Sequence, residues 1–322
     1  MPVTVVVVNW NSGEFLAGCL QHLLKQTYRP EKVLVMDNGS TDGSAKYATR
    51  VPGVTVRQLG ANLGFAAANN RALQECNTEF VALLNPDAFP EPDWLENMLK
   101  AAGEHPDCAA FGSKQVMAEM PNRLDGIGDT YHFSGLVWRN GYGSVAQPEH
   151  DRESEIFSAC AGAVLYRRAP LDAVGGFDDD YFCYVEDVDI GFRLRLAGYK
   201  AMYVPGAVVR HVGSASTGGL HSDFAVYHGH RNLVWTFVKD MPGILFWLLL
   251  PLHILLNLVS VVWFTTRGQG SVILRSKRDA IRGLPNMWAK RKRIQAERTV
   301  RVRSIWHVLD KRLFPRSWRT DF

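Results

Sequence analysis

The chain has 322 residues, of which 47% are hydrophobic, 21% charged and 11% aromatic, and its formal net charge is +4. That composition excludes a disordered, collagen-like or low-complexity polymer and leaves room for one large domain or two ordinary ones. The small net charge hides an asymmetry: residues 267–322 hold 16 Lys+Arg against 4 Asp+Glu, and the preceding residues hold 20 against 28. An acidic body joined to a basic tail suggests an anionic partner for the tail, either a membrane surface or nucleic acid.

The run Val3-Thr4-Val5-Val6-Val7-Val8 is too short for a signal-peptide core, lacks a basic start and reads as a buried parallel strand. After the polar turn at residues 9–13, Phe15, Leu16, Cys19, Leu20, Leu23 and Leu24 recur at helical spacing. Residues 32–36 form a second strand that ends in the polar stretch 37–43, and residues 54–56 form a third. The turn at 60–64 leads into an Ala/Asn-rich helix near 65–76, and a fourth strand at 80–84 ends in Asn85-Pro86-Asp87. Alternation of this kind predicts a doubly wound α/β domain with a mainly parallel sheet. Ligands bind beyond the carboxyl ends of such strands, which is where the polar clusters fall. Residues 110–150 show no clear period and read as an irregular loop or hairpin region. Structure resumes with a strand at 161–166, a turn at Gly175-Gly176, and a helix from about Val185 to Gly198. Residues 244–264 carry no charge and are long enough to span a bilayer, a buried helix of a soluble protein being the alternative. Pro251 sits near the middle, and His253, Asn257 and Ser260 share one face. The five cysteines have no CxxC spacing, so reduced thiols in a cytoplasmic setting are expected, with neither a disulfide framework nor a zinc site.

Asp37 and Asp87 both follow strand ends. Asp37 alone reads equally well as a turn former and helix cap. Together, one carboxylate can bind a base or ribose while the other holds a divalent ion against a diphosphate. No GxGxxG follows a strand and no GxxxxGK[ST] occurs, so dinucleotide and P-loop sites are disfavoured. Glu186, Asp187 and Asp189 crowd three acids into four residues. They suit either the positive end of a helix or a general base, and local physics leaves both readings open. His211, after a strand, is either structural or an imidazole ligand to the same ion.

These motifs together resemble the family 2 glycosyltransferases of GT-A fold, and more closely their bacterial rhamnosyltransferase-like branch. The resemblance spans roughly residues 3–235 and rests on Val-Val-Asn-Trp-Asn (7–11), Met-Asp-Asn-Gly-Ser-Thr-Asp (36–42), Asn62-Leu63-Gly64-Phe65-Ala66 and Asn85-Pro86-Asp87. It continues through Gly162-Ala163, Arg167-Arg168, Gly175-Gly176-Phe177-Asp178, Glu186-Asp187-Val188-Asp189 and His211. It implies an inverting transfer from a nucleotide sugar, such as L-rhamnose from dTDP-rhamnose, to a lipid-linked or cell-envelope glycan. Asp37 would bind the pyrimidine or ribose. Asn9, Trp10, Asn11, Asn62, Gly64, Asn69 and Asn85 would complete the nucleotide-sugar pocket, and Arg231 would reach a phosphate. Asp87, with His211, would hold Mg²⁺ or Mn²⁺, while Asp187 serves as the base. Glu186 and Asp189 would orient base or acceptor, with Gly162 beside the acceptor. Asn85 departs from the family by replacing the first carboxylate of its metal motif. The stretch after His211, Val-Gly-Ser-Ala-Ser, is slightly short. A sugar-phosphate nucleotidyltransferase and a non-catalytic nucleotide-sugar-binding module are the alternatives.

The expected division is a catalytic domain over residues 1–240 and, over 241–322, the apolar helix followed by a basic amphipathic tail. Nucleotide sugars are cytoplasmic, and a basic tail favours the same side. A single transmembrane pass would separate the two. Residues 244–264 are therefore expected to be re-entrant or in-plane, broken near Pro251, at the cytoplasmic face of the bacterial inner membrane. The tail mixes Trp288, Ile294, Ile305, Trp306 and Leu309 with basic residues, as suits anionic headgroups, and no nucleic-acid motif accompanies it.

Overall fold

The computed structural model describes residues 1–213, 219 and 221–312. The opening valines form β1 (Val3–Asn9), followed by α1 (Glu14–Leu24), β2 (Lys32–Asp37), α2 (Ser44–Ala48) and β3 (Val54–Gln58). Next come α3 (Phe65–Gln74), β4 (Phe80–Leu84), β5 (Ala88–Pro90) and α4 (Trp94–Glu104). β1 is buried along its whole length because helices cover both faces of the sheet. Val3, Val5 and Val7 pack toward α1 and α4, while Val6 and Val8 pack toward α3, the two-residue period of a strand.

The stretch read as irregular proves to be partly regular. It contains β6 (Cys108–Met117), β7 (Leu124–Gly126), β8 (Asp129–Tyr131) and β9 (Val137–Arg139). β6 is a ten-residue strand buried on both faces, so its residues show no amphipathic alternation to betray it. Then follow β10 (Ser154–Ile156), β11 (Ala163–Arg167), α5 (Arg168–Ala173), α6 (Glu186–Leu196) and β12 (Lys200–His211). The principal sheet runs β10-β12-β6-β11-β4-β1-β2-β3. Strands β4, β1, β2 and β3 are parallel, whereas β11 is antiparallel to both β4 and β6, which makes the sheet mixed beyond its wound half.

The chain closes with α7 (Asp223–Asp240), α8 (Gly243–Thr266), α9 (Gly270–Glu297) and α10 (Val302–Val308). α8 runs unbroken through Pro251, contrary to the break expected there. Its inward face is fastened along its length: Leu245, Phe246 and Leu249 are buried, and His253 Nδ1 meets Ser134 O at 2.8 Å. The polar residues of the stripe bond one another, with Asn257 Nδ2 donating to His253 O and Ser260 Oγ to Asn257 O. The outward face stays bare, with Ile244, Trp247, Leu248, Leu258 and Val262 all more than half exposed. α8 is thus not the interior helix of a soluble core.

α9 folds back along α7, and residues on both sides of position 240 share one core, among them Phe192, Trp235, Phe246, Met287 and Ile305. Part of the tail's charge is consumed in this packing. Arg291 Nη1 donates to Val238 O and Met241 O, Lys277 Nζ to Asn257 Oδ1 at 2.6 Å, and Lys290 Nζ to Asp178 and Asp180. The rest of α9 keeps Arg275, Arg278, Arg282 and Arg293 exposed. Arg316 and Arg319 lie outside the described residues, as do Ser214, Ala215 and Ser216 of the short stretch after His211.

Candidate active site

A cleft of about 650 Å³ opens beyond the carboxyl ends of β1, β2 and β4 and extends to α7 and α8. Trp10, Asn62, Gly64, Asn85, Asp87, Gly162, Glu186, Asp187 and His211 all line it. The sheet itself assembles the central group. β12 pairs with β5 so that His211 stands opposite Ala88, and Val212 N donates to Asp87 O at 3.0 Å. His211 Nε2 then lies 3.3 Å from Asp87 Oδ1, and Asn85 Nδ2 lies 3.4 Å from the same nitrogen. On the other side of the ring, Nδ1 lies 2.7 Å from Asp125 Oδ2, delivered by the β6–β7 pairing.

Burial alone would lower the His211 pKa, but its bonds to Asp125 and Asp87 raise it to about 9. Burial would raise Asp125, yet Arg139, 2.7 Å away, and His211 hold it at about 2. A carboxylate behind one ring nitrogen fixes the imidazole tautomer and turns the other nitrogen toward a metal. The donor set of carboxylate oxygen and imidazole nitrogen, backed by Asp125, therefore fits a divalent cation of the Mn²⁺ or Mg²⁺ class.

The second group sits at the start of α6. Asp187 Oδ2 accepts from Ala161 N at 3.2 Å and its Oδ1 from Val188 N at 2.8 Å. Burial nevertheless pushes the Asp187 carboxyl above its ordinary value. Glu186 is pushed well up by burial and by Asp187, and its Oε2 is buried without a hydrogen-bond partner. Asp129, on β8, accepts from Ser158 Oγ at 3.1 Å and is raised by burial and Asp187. α6 approaches this pair closely because residue 191 is glycine: a Cβ there would lie 2.3 Å from the Ser158 Cβ. Three carboxyls so crowded cannot all ionise cheaply, which is why each is pushed above its ordinary value.

Six of the expected residues are not among those lining the cleft. Asn9 and Asp37 are buried against each other at the ends of β1 and β2, with Asn9 Nδ2 donating to Asp37 Oδ1 at 2.9 Å. The neighbouring Asn38 faces the cleft instead. Asn11 Oδ1 accepts from Thr41 N on the exposed turn, and Asn69 Nδ2 donates within its own helix to Phe65 O. Arg231 is turned onto Trp235, 4.2 Å from the ring centroid, and donates to Asp180 O and Tyr181 O, so it is spent on the protein backbone. Asp189 is fully buried between Arg193 at 2.7 Å and Lys239 at 2.5 Å. Burial would raise it, but these two cations hold it well below the carboxylate range. It anchors α6 to α7 and does not reach the acceptor side of the cleft.

Asp125, Asp129 and Arg139 were not expected. The only signal lay in Asp125-Gly126-Ile127-Gly128-Asp129, two acids framing a pair of glycines. Phe182, Tyr184 and Phe224 also line the cleft and form an aromatic wall with His228, whose ring stacks on Phe182 at 5.2 Å.

Residues 4–175 match glycosyl transferase family 2. N-acetylglucosaminyl-diphospho-decaprenol L-rhamnosyltransferase of Mycobacterium tuberculosis (strain ATCC 25618 / H37Rv) is 34% identical over 260 residues, covering 73% of this chain and 83% of that protein. Poly-beta-1,6-N-acetyl-D-glucosamine synthase of Staphylococcus aureus (strain COL) is 22% identical over 268 residues, or 81% of this chain and 62% of the synthase. Among solved structures, GalNAc-T7 with UDP, GalNAc and Mn²⁺ superposes with a TM-score of 0.61 at 16% identity, over 74% of this chain and 48% of that one. The mannosyltransferase PcManGT from Pyrobaculum calidifontis, in complex with GDP-Man and Mn²⁺, gives 0.54 at 18% identity, over 95% and 87%. At such identities the structural likeness speaks for the fold. The nucleotidyltransferase and binding-module alternatives give way to these findings. The chain belongs to glycosyl transferase family 2, in its rhamnosyltransferase-like branch, and is a glycosyltransferase of GT-A fold.

Proposed function

We propose that this glycosyltransferase moves an L-rhamnosyl group from dTDP-L-rhamnose, with inversion, onto a hydroxyl of a sugar carried by a polyprenyl diphosphate. The observation that carries this reading is the lining of the cleft, which joins Asp87, His211 and Asp187 to the apolar side chains of Phe224, Leu233 and Phe264 in one cavity. One of those apolar side chains lies on α8, and such a lining suits a lipid-linked acceptor. The acceptor named for the 34% identical relative is of that kind.

In this reading Asp187 accepts the proton of the acceptor hydroxyl as its oxygen bonds the anomeric carbon. The bond to the diphosphate breaks on the opposite face, giving the inverted glycoside and the nucleoside diphosphate. Asp87 and His211 would hold the divalent ion, which when bound offsets the charge gathering on the departing diphosphate. Asp125 keeps His211 Nδ1 protonated, and Nε2 would give up its proton to offer a lone pair when the ion binds. Trp10, Asn38 and Asn62 line the nucleotide end, and Glu186 faces the acceptor with an unsatisfied oxygen.

The bare face of α8, with Leu274, Ile281 and Trp288 of α9 also exposed, supports an in-plane seat in one leaflet. The exposed arginines of α9 suit anionic headgroups, and body and tail then share the cytoplasmic side. The test is turnover of dTDP-, UDP- and GDP-sugars with and without Mg²⁺ or Mn²⁺, using N-acetylglucosaminyl-diphospho-polyprenol as acceptor. Rhamnosyl transfer specific to dTDP-rhamnose is expected. Turnover of another donor alone, or of a water-soluble acceptor with equal efficiency, would overturn the substrate assignment.

A further inference from the structure

Asp187 stands at the end of a short segment whose backbone is strained. Phe182 (φ 61°, ψ −65°), Tyr184 (φ 68°) and Val185 (φ 69°) all have positive φ, which among the described non-glycine residues occurs elsewhere only at Asn11. Across Phe182, Cys183 N donates to Tyr181 O at 2.7 Å, closing a three-residue turn of the rare, strained form. Val185 is β-branched and left-handed, and it is the residue from which α6 starts. Such conformations persist only where the surroundings over-determine them.

Two sets of contacts do so here. The Phe182 carbonyl accepts from Phe65 N at 2.6 Å and Ala66 N at 3.3 Å, so the turn is seated on the first turn of α3, on the nucleotide side of the cleft. From the opposite side comes Asn232 of α7, fully buried and absent from the cleft lining. Its Nδ2 lies 3.0 Å from Tyr181 O, 3.0 Å from Cys183 O and 2.7 Å from Tyr184 O, so one amide group serves three carbonyl oxygens of the turn. Its Oδ1 accepts from Arg231 Nε at 2.9 Å, which fixes which end of the amide faces the turn.

We propose that Asn232 is a positioning residue for the transfer reaction: its side-chain amide holds the 181–184 carbonyls so that the strained turn presents Glu186 and Asp187 to the cleft. The assignment rests on reading Asp187 as the base. Asn232 touches no reacting atom and acts through the turn. Without it, Val185 and Tyr184 are free to relax toward negative φ, and the carboxylate at the helix start swings with them. A misplacement of about 1 Å costs on the order of a hundredfold in rate.

The test uses the full-length enzyme in detergent with whichever sugar nucleotide it turns over. Asn232→Asp keeps the shape but sets an oxygen against three carbonyls; Asn232→Ala removes the amide. Both variants are expected to lose about a hundredfold in kcat, with the donor KM changed less than about threefold and the circular dichroism spectrum retained. The discriminating arm is Val185→Gly in the Asn232→Ala background. Glycine adopts positive φ freely, so the turn no longer needs holding, and kcat should recover about tenfold. A merely structural asparagine would show no such recovery. The proposal falls if kcat stays within about threefold of wild type, if donor KM rises in step with the loss, or if Val185→Gly restores nothing. Should Asn232→Asp not fold, the alanine pair decides alone. Asp187→Asn, run in parallel, separates the two ideas. An active Asp187→Asn enzyme sinks the base assignment, whereas an inactive one beside unaffected Asn232 variants sinks only the positioning role.

Discussion

The two flanks of the cleft use carboxylates in opposite ways. On the nucleotide flank, Asp37 accepts from Asn9 Nδ2 and Ser40 N, and Asp42 accepts from Gly13 N at 2.7 Å and from Ser44. Burial would raise Asp42, but the bonds from Ser44 and Gly13 keep it below its ordinary pKa. These two acids shape loops. On the α6 flank, Asp129, Glu186 and Asp187 are buried together with fewer donors than oxygens, and all three are pushed upward. The contrast is one of solvation: one flank surrounds its carboxylates with hydrogen-bond donors, while the other buries three carboxyls together with too few.

The sharpest way to break that contrast is Asp187→Asn, which removes the proposed base while keeping size and hydrogen-bond reach. A loss of about a thousandfold in kcat is expected, with donor binding retained. Because the base must be ionised, wild-type kcat should fall as pH drops through a value above the usual aspartate range. A pH–rate profile with its acidic limb near pH 4 would contradict the raised carboxyl. On the nucleotide flank, Gly64→Ala tests how the two sides are joined. Gly64 has φ +86°, and a Cβ there would lie 2.5 Å from the Phe182 carbonyl, so a stability loss of about 3 kcal/mol is expected in denaturant unfolding. Asp125→Asn should weaken Mn²⁺ binding about thirtyfold, measured by calorimetry, since the imidazole loses the partner that sets its tautomer. An unchanged affinity would remove His211 from the metal site.

How much of this was readable beforehand differs between the same two flanks. The wound half showed itself because each strand is short, apolar and followed by a polar turn, and those turns are the ligand-binding ends. Asp87, Glu186, Asp187 and His211 were legible as chemistry-bearing types and do converge. The 110–150 region was not, because β6 is buried on both faces and its partners in β11 and β12 come 52 to 94 residues later. Asp125 and Asp129 gain meaning only through that non-local pairing. Arg231 and Asp189 misled for a different reason. A charged residue near a motif looks available in sequence, and only the packed structure shows that Trp235 and the Asp180–Tyr181 carbonyls claim the arginine while Arg193 and Lys239 claim the acid. Pro251 misled too, since a proline in an apolar run signals a break only when nothing else fastens the helix.

The outer face of α8 extends the comparison beyond the cleft. Leu248 is 65% exposed. If that face is seated in lipid, Leu248→Glu removes burial of about 2 kcal/mol and should weaken binding to vesicles containing anionic lipid about thirtyfold. Transfer to a soluble acceptor analogue should be spared. Equal vesicle binding by both proteins would mean that α8 is covered by something other than a bilayer.

The smallest effect concerns the charge on the inner side of the same helix. Lys277 of α9 is half-buried, with Nζ donating to Asn257 Oδ1 of α8 at 2.6 Å and His230 O of α7 at 3.1 Å, and burial lowers its pKa to about 7. In the unfolded chain the same ammonium titrates near its ordinary value of about 10.4. Between those values the unfolded state binds more protons than the folded one, so stability rises with pH across that window. Below pH 7 the full cost of burying the cation remains, offset in part by its two acceptors. Lys277→Met has no proton to exchange, so wild type should gain about 2–4 °C in melting temperature relative to the variant as pH rises from 7 to 10. A constant difference across that range would mean that the ammonium stays charged in the folded protein, with Asn257 and His230 solvating it as well as water does. The polar stripe of α8 would then be a counterpart for a permanent cation inside the helical layer.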